Sequence, residues 1–162
     1  MNQATNKGFV EGPRPSGALR WFLRAPIHLY KAKLGWMLGG RFMLIEHIGR
    51  KSKAPRFTVV ETVSHDRESD TYYACSGWGE RSDWFQNLMH DPHATITIGT
   101  RKFSTLAVRV DPDAATPVLA DYQARHPAAF KELFKRMMGR PYTGQDAIRD
   151  LAQVVPMVAF KA

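Results

Sequence analysis

The sequence predicts a mixed α+β protein, mainly β, built on an antiparallel β-barrel of six strands with appended helices. Short runs rich in β-branched and aromatic residues recur between turn signals, which is typical of strands. Five of the six runs lie between residues 42 and 110 of the 162-residue chain. The longer segments with helical spacing follow the fifth run, and this grouping indicates a barrel with helices added to it.

The first 40 residues differ in pattern from the rest of the chain. Residues 1–15 are polar and rich in Gly and Pro, which predicts a flexible lead. Residues 16–40 predict a basic amphipathic segment of two short helices, interrupted by a proline and ended by paired glycines. Its apolar stripe either packs on the domain and a dimer mate or, through Trp21 and Trp36, contacts an anionic membrane. Packing is the commoner fate of such a helix.

Residues 41–162 form the predicted barrel domain. Its strands are expected over residues 42–48, 56–64, 71–76, 94–98, 102–110 and 154–161. The first three strands are expected to form a meander, and the next two form a hairpin. Helices are expected over residues 84–89, in two segments within 111–137 that separate near His126, and over residues 145–153.

A glycine-led loop follows the first predicted strand; we call residues 49–56 the cationic loop. It begins at Gly49 and carries a hydroxyl and four basic side chains, namely Arg50, Lys51, Ser52, Lys53 and Arg56. A positive φ at Gly49 would let backbone amides and basic groups converge on one point, as in a phosphate site. The alternative is an ordinary solvated turn, since most turns are polar. Spacing alone favours the solvated turn.

The net charge of +8 is concentrated in the first third of the chain. Residues 1–56 contain 11 Lys and Arg against two acids, a net charge of +9, whereas residues 57–162 contain 12 against 13. Such asymmetry fits an anionic partner, which can be nucleic acid, a membrane surface or a phosphorylated cofactor. Cys75 is the single cysteine, and no signal peptide or apolar run of ~20 residues is visible, so we expect a cytoplasmic protein.

Three stretches of the barrel domain carry a family resemblance. They are Glu-His-Ile-Gly-Arg-Lys-Ser at 46–52 with Arg56, Thr-Val-Val-Glu at 58–61, and Ser-Gly-Trp-Gly at 76–79 followed by Ser-Asp-Trp-Phe-Gln-Asn-Leu at 82–88 and Pro92. Read together, they resemble the deazaflavin-dependent nitroreductase family, small split-barrel reductases that use an 8-hydroxy-5-deazaflavin, coenzyme F420. Their order and spacing are much more specific than any one motif.

The resemblance implies a six-stranded split β-barrel whose groove holds coenzyme F420, with FMN as the alternative cofactor. The cationic loop would bind the phosphate and acidic tail through charge-assisted bonds, and this agreement makes anion binding the favoured interpretation over a solvated turn. The segment from residue 75 to residue 87 would form the other wall of the groove. The implied cofactor-binding residues are Gly49, Arg50, Lys51, Ser52, Arg56, Thr58, Ser76, Gly77, Trp78 and Gly79.

The resemblance also implies hydride transfer from the reduced cofactor to an electron-poor acceptor, such as a quinone, a nitroaromatic or an activated alkene. The cofactor carries the difficult chemistry, which explains why no catalytic constellation stands out. Ser76 and Tyr142 are the candidate proton donors. Trp84 and Asn87, three residues apart on one helical face, are expected to pin their helix to the barrel. A homodimer is the family-level expectation.

Two features depart from the family pattern. Many members have Gly after the Lys-Ser pair, where this chain has Lys53. The tyrosine cluster that some members place over the substrate is reduced to Tyr122 and Tyr142. Related barrels hold FMN, haem-type pigments or fatty acids, so a non-catalytic carrier is one alternative. A nucleic-acid binder is another, although the aromatic residues of the basic third fall at helix-core spacing, and we expect no nucleic-acid partner.

Other enzyme classes find little support. His90 and His93 are the closely spaced pair among six histidines, and no cysteine pair or paired carboxylate completes a zinc site. We expect no metal and interpret the histidines as loop residues. Cys75 lies in an apolar strand and is expected to be inert core.

Overall fold

Seven antiparallel strands and four α-helices make up the described part of the chain, which comprises Ile27, residues 39–144 and residues 146–162 of a computed structural model. The strands are β1 (Phe42–Ile48), β2 (Pro55–Glu61), β3 (Ser64–Asp66), β4 (Thr71–Cys75), β5 (His93–Ile98), β6 (Arg101–Val110) and β7 (Met157–Lys161). The helices are α1 (Asp83–His90), α2 (Pro112–Arg125), α3 (Pro127–Met138) and α4 (Asp146–Val154). The predicted α+β class is confirmed. The predicted lead and nearly all of the basic helical segment lie outside the described residues.

The strand count is seven because the run expected over residues 56–64 ends as β2 at Glu61, and a short further strand, β3, forms over Ser64–Asp66, where a turn was expected from His65. Thr62 and Val63 lie between β2 and β3 and turn to different partners. The Thr62 N–H donates to the Arg41 carbonyl at 2.7 Å, beside β1, whereas the Val63 N–H donates to the Tyr73 carbonyl of β4 at 2.8 Å. The expected meander was therefore wrong: β2 pairs with β1, and β4 pairs with β3 and β7.

The strand order explains why the sheet curls. The order is β2-β1-β5-β6-β7-β4-β3, so β2 and β3 lie at opposite edges although only two residues join them in the chain. The edges must approach each other for so short a connection to span them. The result is the curled, split barrel that the sequence predicted.

Two apolar cores lie on the two sides of this sheet. The first fills the barrel under α1 and combines every second residue of the strands: Met43, Ile45, Tyr72, Ala74, Ala94, Ile96, Ile98, Ala107, Val158 and Phe160, with Phe85 and Leu88 of α1. The second joins α2, α3 and α4 to the other face of β4 and β7, through residues that include Leu119, Tyr122, Phe130, Phe134, Leu151 and Met157. Because successive side chains of a strand point to opposite faces of the sheet, the same strands contribute residues to both cores.

The helix boundaries follow from local chemistry. The break predicted near His126 is confirmed, because Pro127 lacks an N–H group and is tolerated at the first position of α3. Gly139 ends α3 with a left-handed φ of 66°. Among the described residues, no helix combines the length and apolar character that crossing a bilayer requires.

The antiparallel registers place the predicted site at one end of the barrel. β1, β6 and β4 run in one direction, and β2, β5 and β7 run in the other. The segment after β1, the segment after β4 and helix α1 therefore share one end, which we call the loop end. The turns at residues 67–70 and 99–100 share the opposite end, which we call the turn end.

Candidate functional site

The cationic loop is closed by its own backbone. The Gly49 N–H donates to the Ala54 carbonyl at 2.9 Å, and the Lys53 N–H donates to the Gly49 carbonyl at 2.8 Å. A Cβ at position 49 would overlap the hydroxyl of Ser52 and lie 3.3 Å from Cγ of Arg56. Glycine is therefore required here for close approach. The expectation of a positive φ at Gly49 was wrong, since the left-handed residue is Lys53.

Lys53 adopts the conformation that glycine favours. Its φ is 53°, and it occupies the position where many members of the resembled family have glycine. The loop therefore keeps its turn at a strain of about 1–2 kcal/mol. The Lys53 ammonium nitrogen lies 3.3 Å from Nε2 of His90 at the end of α1.

Arg50 fastens the loop to α1. Its backbone N–H and its Nη1 both donate to Oδ1 of Asn87, at 3.0 and 2.9 Å. Its guanidinium also donates to Oδ1 of Asp83 at 3.2 Å. The prediction that Asn87 pins α1 to the barrel is confirmed by these bonds. The guanidinium of Arg50 is already engaged, and its role as a cofactor contact stays a prediction.

His47 lies beneath the loop on the inner face of β1. It is buried, and its Nδ1 lies 3.4 Å from Nδ2 of Asn87. Oδ1 of Asn87 accepts from Arg50, so Nδ2 donates and Nδ1 of His47 accepts. Burial lowers the pKa of His47, and the charge of Arg56 lowers it further against the opposing effect of the Ile48 backbone. The interpretation of His47 as a loop residue was wrong, although its alternation with the buried Met43 and Ile45 could have shown it.

Lys51 and Arg56 provide basic groups that no acid neutralises. Neither has a carboxylate partner within the part of the chain that the structure describes. Lys51 is exposed, and Nε of Arg56 donates to the Ser52 hydroxyl at 3.2 Å. An ammonium, a guanidinium and a hydroxyl within one short loop are donors of the kinds that bind phosphate and carboxylate groups. The donor set of the loop therefore fits the anionic tail of coenzyme F420.

Ser76 holds together the turn that forms the second wall. It is fully buried, and its N–H donates to the Pro156 carbonyl at 2.8 Å. Its hydroxyl donates to the Gly79 carbonyl at 2.7 Å and lies 2.5 Å from Oγ of Ser82. Gly79 has a left-handed φ of 69°. This placement makes Ser76 a support of the turn, and its proposed contact with cofactor or proton donation gains no support from it.

The remaining predicted residues fall into three environments. Trp78 is exposed, and the guanidinium carbon of Arg136 lies 4.9 Å from its ring centre. Thr58 is half-buried in β2 opposite Ile45. Tyr142 packs edge-on in the helix layer, 5.1 and 5.4 Å from the rings of Phe130 and Phe134. The structure therefore brings the cationic loop and the 76–79 turn to one end, whereas Tyr142 belongs to the second core.

Two further polar residues are structural. The Tyr122 hydroxyl donates to Oε2 of Glu61 at 3.0 Å, and burial raises the pKa of Tyr122. Burial also raises the pKa of the Cys75 thiol to about 12, which agrees with the expectation of an inert thiol. No group of His, Cys, Asp and Glu in the described ranges could hold a metal ion.

Two depressions lie near the loop end. One of about 290 Å³ follows the ends of β1, β5 and β6 and is lined by Glu46, His47, Ile48, His93, Ala94, Thr95, Ser104 and Thr105. A larger one of about 460 Å³ is lined by Asp111, Pro112, Asp113, Ala114 and Gln153. The larger depression contains two carboxylates and the smaller one contains one, Glu46, and no residue of the cationic loop lines either of them.

Comparison with protein families gives one match. A family model described as F420H(2)-dependent quinone reductase matches residues 22–137, more than half of the chain. Comparison with curated protein sequences found no match.

Solved structures share the fold at low sequence identity. An F420-H2 dependent reductase (FDR-A) matches with a TM-score of 0.51 at 13% identity, over 75% of this chain and 94% of that chain. A structure described as a domain-swapped dimer matches with a TM-score of 0.53 at 12% identity, over 85% and 100%. The protein Atu2129 of Agrobacterium tumefaciens matches with a TM-score of 0.53 at 15% identity, over 91% and 58%. These similarities support the split-barrel architecture.

Proposed function

Because the chain belongs to the F420H(2)-dependent quinone reductase family, whose cofactor is coenzyme F420, we propose that it is a reductase for electron-poor acceptors. The acceptor is a quinone, a nitroaromatic or an activated alkene, and it gains two electrons and two protons overall. The choice between a nitroreductase and a quinone reductase is part of this proposal. The assignment of individual residues to the cofactor and to the acceptor is also part of it.

The observation that carries the proposal is the set of uncompensated basic groups in the cationic loop. Lys51 and Arg56 lack carboxylate partners among the described residues, although several other arginines are paired with acids. Arg50 anchors the loop through Asn87 and Asp83. The loop is therefore held in place for an anion that the described residues do not supply.

Each part of the loop end has a role in the proposed reaction. When bound and reduced, coenzyme F420 supplies the hydride. Lys51, Ser52 and Arg56 bind its phosphate and acidic tail, and Arg50 keeps those donors in position. The turn held by Ser76 orients Gly77 and Trp78 beside the bound ring. The proton that completes the reduced acceptor comes from water, because Tyr142, the remaining candidate donor, packs in the second core against Phe130 and Phe134.

The first test is a fluorescence titration with oxidised coenzyme F420 and, in parallel, with FMN. We expect the double variant Lys51→Ala and Arg56→Ala to weaken binding of F420 at least about 100-fold, because each of two charged hydrogen bonds contributes roughly 1.5–3 kcal/mol. The matched control is Arg149→Ala with Lys161→Ala, which removes the same charge from exposed positions elsewhere. Equal losses of F420 affinity in both double variants would show that the effect comes from net charge and not from the cationic loop.

The titration also separates the alternatives. Tight binding of FMN instead of F420 would keep the fold and change the hydride donor. Absence of binding by both would reject the reductase proposal and favour a carrier of lipid or pigment. Salt-dependent binding of DNA would favour the nucleic-acid alternative.

We also propose that the protein forms a homodimer. The fold resembles a structure described as a domain-swapped dimer, and Leu106 and Val108 are exposed on β6. Sedimentation should give a dimer that Leu106→Ser with Val108→Ser converts to a folded monomer. A monomer in the parent protein would reject the proposal. Cytoplasmic location and peripheral membrane contact through residues 16–40 stay predictions.

A further inference from the structure

An exposed aromatic ring and an unpaired guanidinium meet at the end of the 76–79 turn. Trp78 is 42% exposed, and Cζ of Arg136 from α3 lies 4.9 Å from the centre of its ring. A Cβ on Gly77 would lie 3.3 Å from Nη1 of Arg136 and 3.8 Å from Leu133. The glycine therefore allows α3 to approach the turn closely enough for this stack to form.

Arg136 has no hydrogen bond or carboxylate partner among the residues described, which sets it apart from its neighbours. Arg140 on the same helix is paired with Asp150, and Arg109 near the turn is paired with Glu80. A guanidinium stacked on an aromatic face keeps its N–H donors, which lie in its own plane and point outward. The stack therefore presents an apolar ring surface beside unused, positively charged donors.

The stack lies at the same end of the barrel as the cationic loop. Ser76 joins the turn to Ser82 at the start of α1, and Asp83, the next residue, binds Arg50 of the loop. This chain of contacts fixes the stack relative to the loop without using Lys51 or Arg56. A ligand on the stack and an anionic tail on the loop can therefore be bound together.

We propose that Trp78 and Arg136 bind the electron acceptor and select planar aromatic acceptors that carry an anionic ring oxygen, such as hydroxyquinones. The exposed part of the indole stacks on the ring, and the guanidinium donates to the charged oxygen. Neutral quinones gain the stacking alone. The proposal rests on the proposed reductase function for its reaction, but the binding preference does not require turnover.

The test measures binding by calorimetry, without cofactor, of 2-hydroxy-1,4-naphthoquinone as its anion and of 1,4-naphthoquinone. We expect the protein to bind the anion at least about 10-fold more tightly, since a charged hydrogen bond contributes roughly 1.5 kcal/mol or more. Arg136→Gln should remove this preference and leave the neutral quinone unchanged. Trp78→Leu should weaken both quinones. Arg149→Gln, which removes an exposed charge on α4, should preserve the preference.

Equal binding of the two quinones, or a preference that survives Arg136→Gln, would overturn the proposal. If neither quinone binds alone, the titration is repeated with saturating oxidised F420, and a missing preference there overturns it as well. The affinity of Arg136→Gln for F420 should be unchanged. A hydroxyquinone preference without F420 binding would reject the reductase function alone, whereas F420 binding without the preference would reject the acceptor site alone.

Discussion

The two ends of the barrel use similar backbone turns for different purposes. Each has a non-glycine residue in the left-handed region, Lys53 at the loop end with φ 53° and Asp70 at the turn end with φ 51°. At the turn end, Asp70 accepts hydrogen bonds from Arg101 at 2.6 and 2.9 Å and lies 3.0 Å from Nε2 of His65. The His65 ring stacks on Tyr72 at 3.9 Å. The charges of Asp70 and Arg101 are therefore used within the protein.

The loop end distributes its charges differently. Arg50 is bound to Asp83 and Asn87, whereas Lys51 and Arg56 have no acid beside them in the described chain. The comparison shows that composition alone does not decide which basic groups of a turn stay available. At the loop end Arg50 fixes the turn, and Lys51 and Arg56 have no acid partner among the described residues.

The comparison also shows which groups order the loop end. Buried Asn87 accepts from the backbone N–H and the guanidinium of Arg50 and contacts His47, so a buried amide holds the loop together with the exposed carboxylate of Asp83. An amide carries no net charge. It therefore positions the basic groups without weakening their attraction for an anion.

The largest expected effect on stability comes from removing this amide. Asn87→Ala leaves the backbone N–H of Arg50 and the buried ring of His47 without their partner, and we expect a loss of about 2 kcal/mol in the free energy of unfolding. Urea denaturation checks this value. Asp83→Asn is the matched control on the exposed side of the same anchor and should cost less than about 1 kcal/mol. Equal losses would mean that the amide has no special role.

The stability that the loop end contributes should change with pH because His47 takes up a proton. Its pKa is lowered from 6.5 in the folded chain, so the unfolded chain binds the proton first as the pH falls. The stabilisation is complete above pH 6.5 and is lost progressively below it. Unfolding of the parent protein and of His47→Gln should be compared between pH 7.5 and 5.5, where the stability difference should shrink. A difference that grows towards pH 5.5 would contradict the buried neutral ring.

The stability that the turn end contributes should change in a lower pH range. Hydrogen bonds from Arg101, then from His65, lower the pKa of Asp70 from 3.8 to about 2. Its stabilisation is therefore complete above about pH 4 and is lost as the pH falls towards 2. The stability difference between the parent protein and Asp70→Asn should be constant above pH 4 and decrease below it. A decrease that begins near pH 6 would contradict the lowered pKa of Asp70 as its source and would point to the contact of Asp70 with His65.

The smallest effect is expected at the two left-handed residues. Lys53→Gly relieves backbone strain and should stabilise the protein by up to about 1 kcal/mol. Asp70→Gly relieves similar strain but removes the partner of Arg101, so it should not give this gain. Thermal unfolding of the two variants sharpens the comparison. Stabilisation by both would mean that the Asp70 contacts contribute little.

The local chemistry of the sequence determined the strands, the helix break at Pro127 and the existence of a cationic loop. These features depend on periodicity and on residues a few positions apart, which a single stretch of sequence contains. The same reasoning led to the α+β class, and the family resemblance led to the split barrel and coenzyme F420. The three-residue spacing of Trp84 and Asn87 also predicted that Asn87 holds α1 to the barrel, because spacing along a helix is local information.

Only the tertiary structure decided which residues within those features have partners. Residues 56–64 read as one apolar run, but β2 ends at Glu61 and a new strand, β3, begins at Ser64, because Thr62 and Val63 bind the different partners Arg41 and Tyr73. The burial of Ser76 and His47, the engagement of Arg50 and the approach of Arg136 to Trp78 likewise depend on contacts between distant segments. A residue's type fixes what it can bind, whereas the folded chain fixes whether another part of the protein has already bound it.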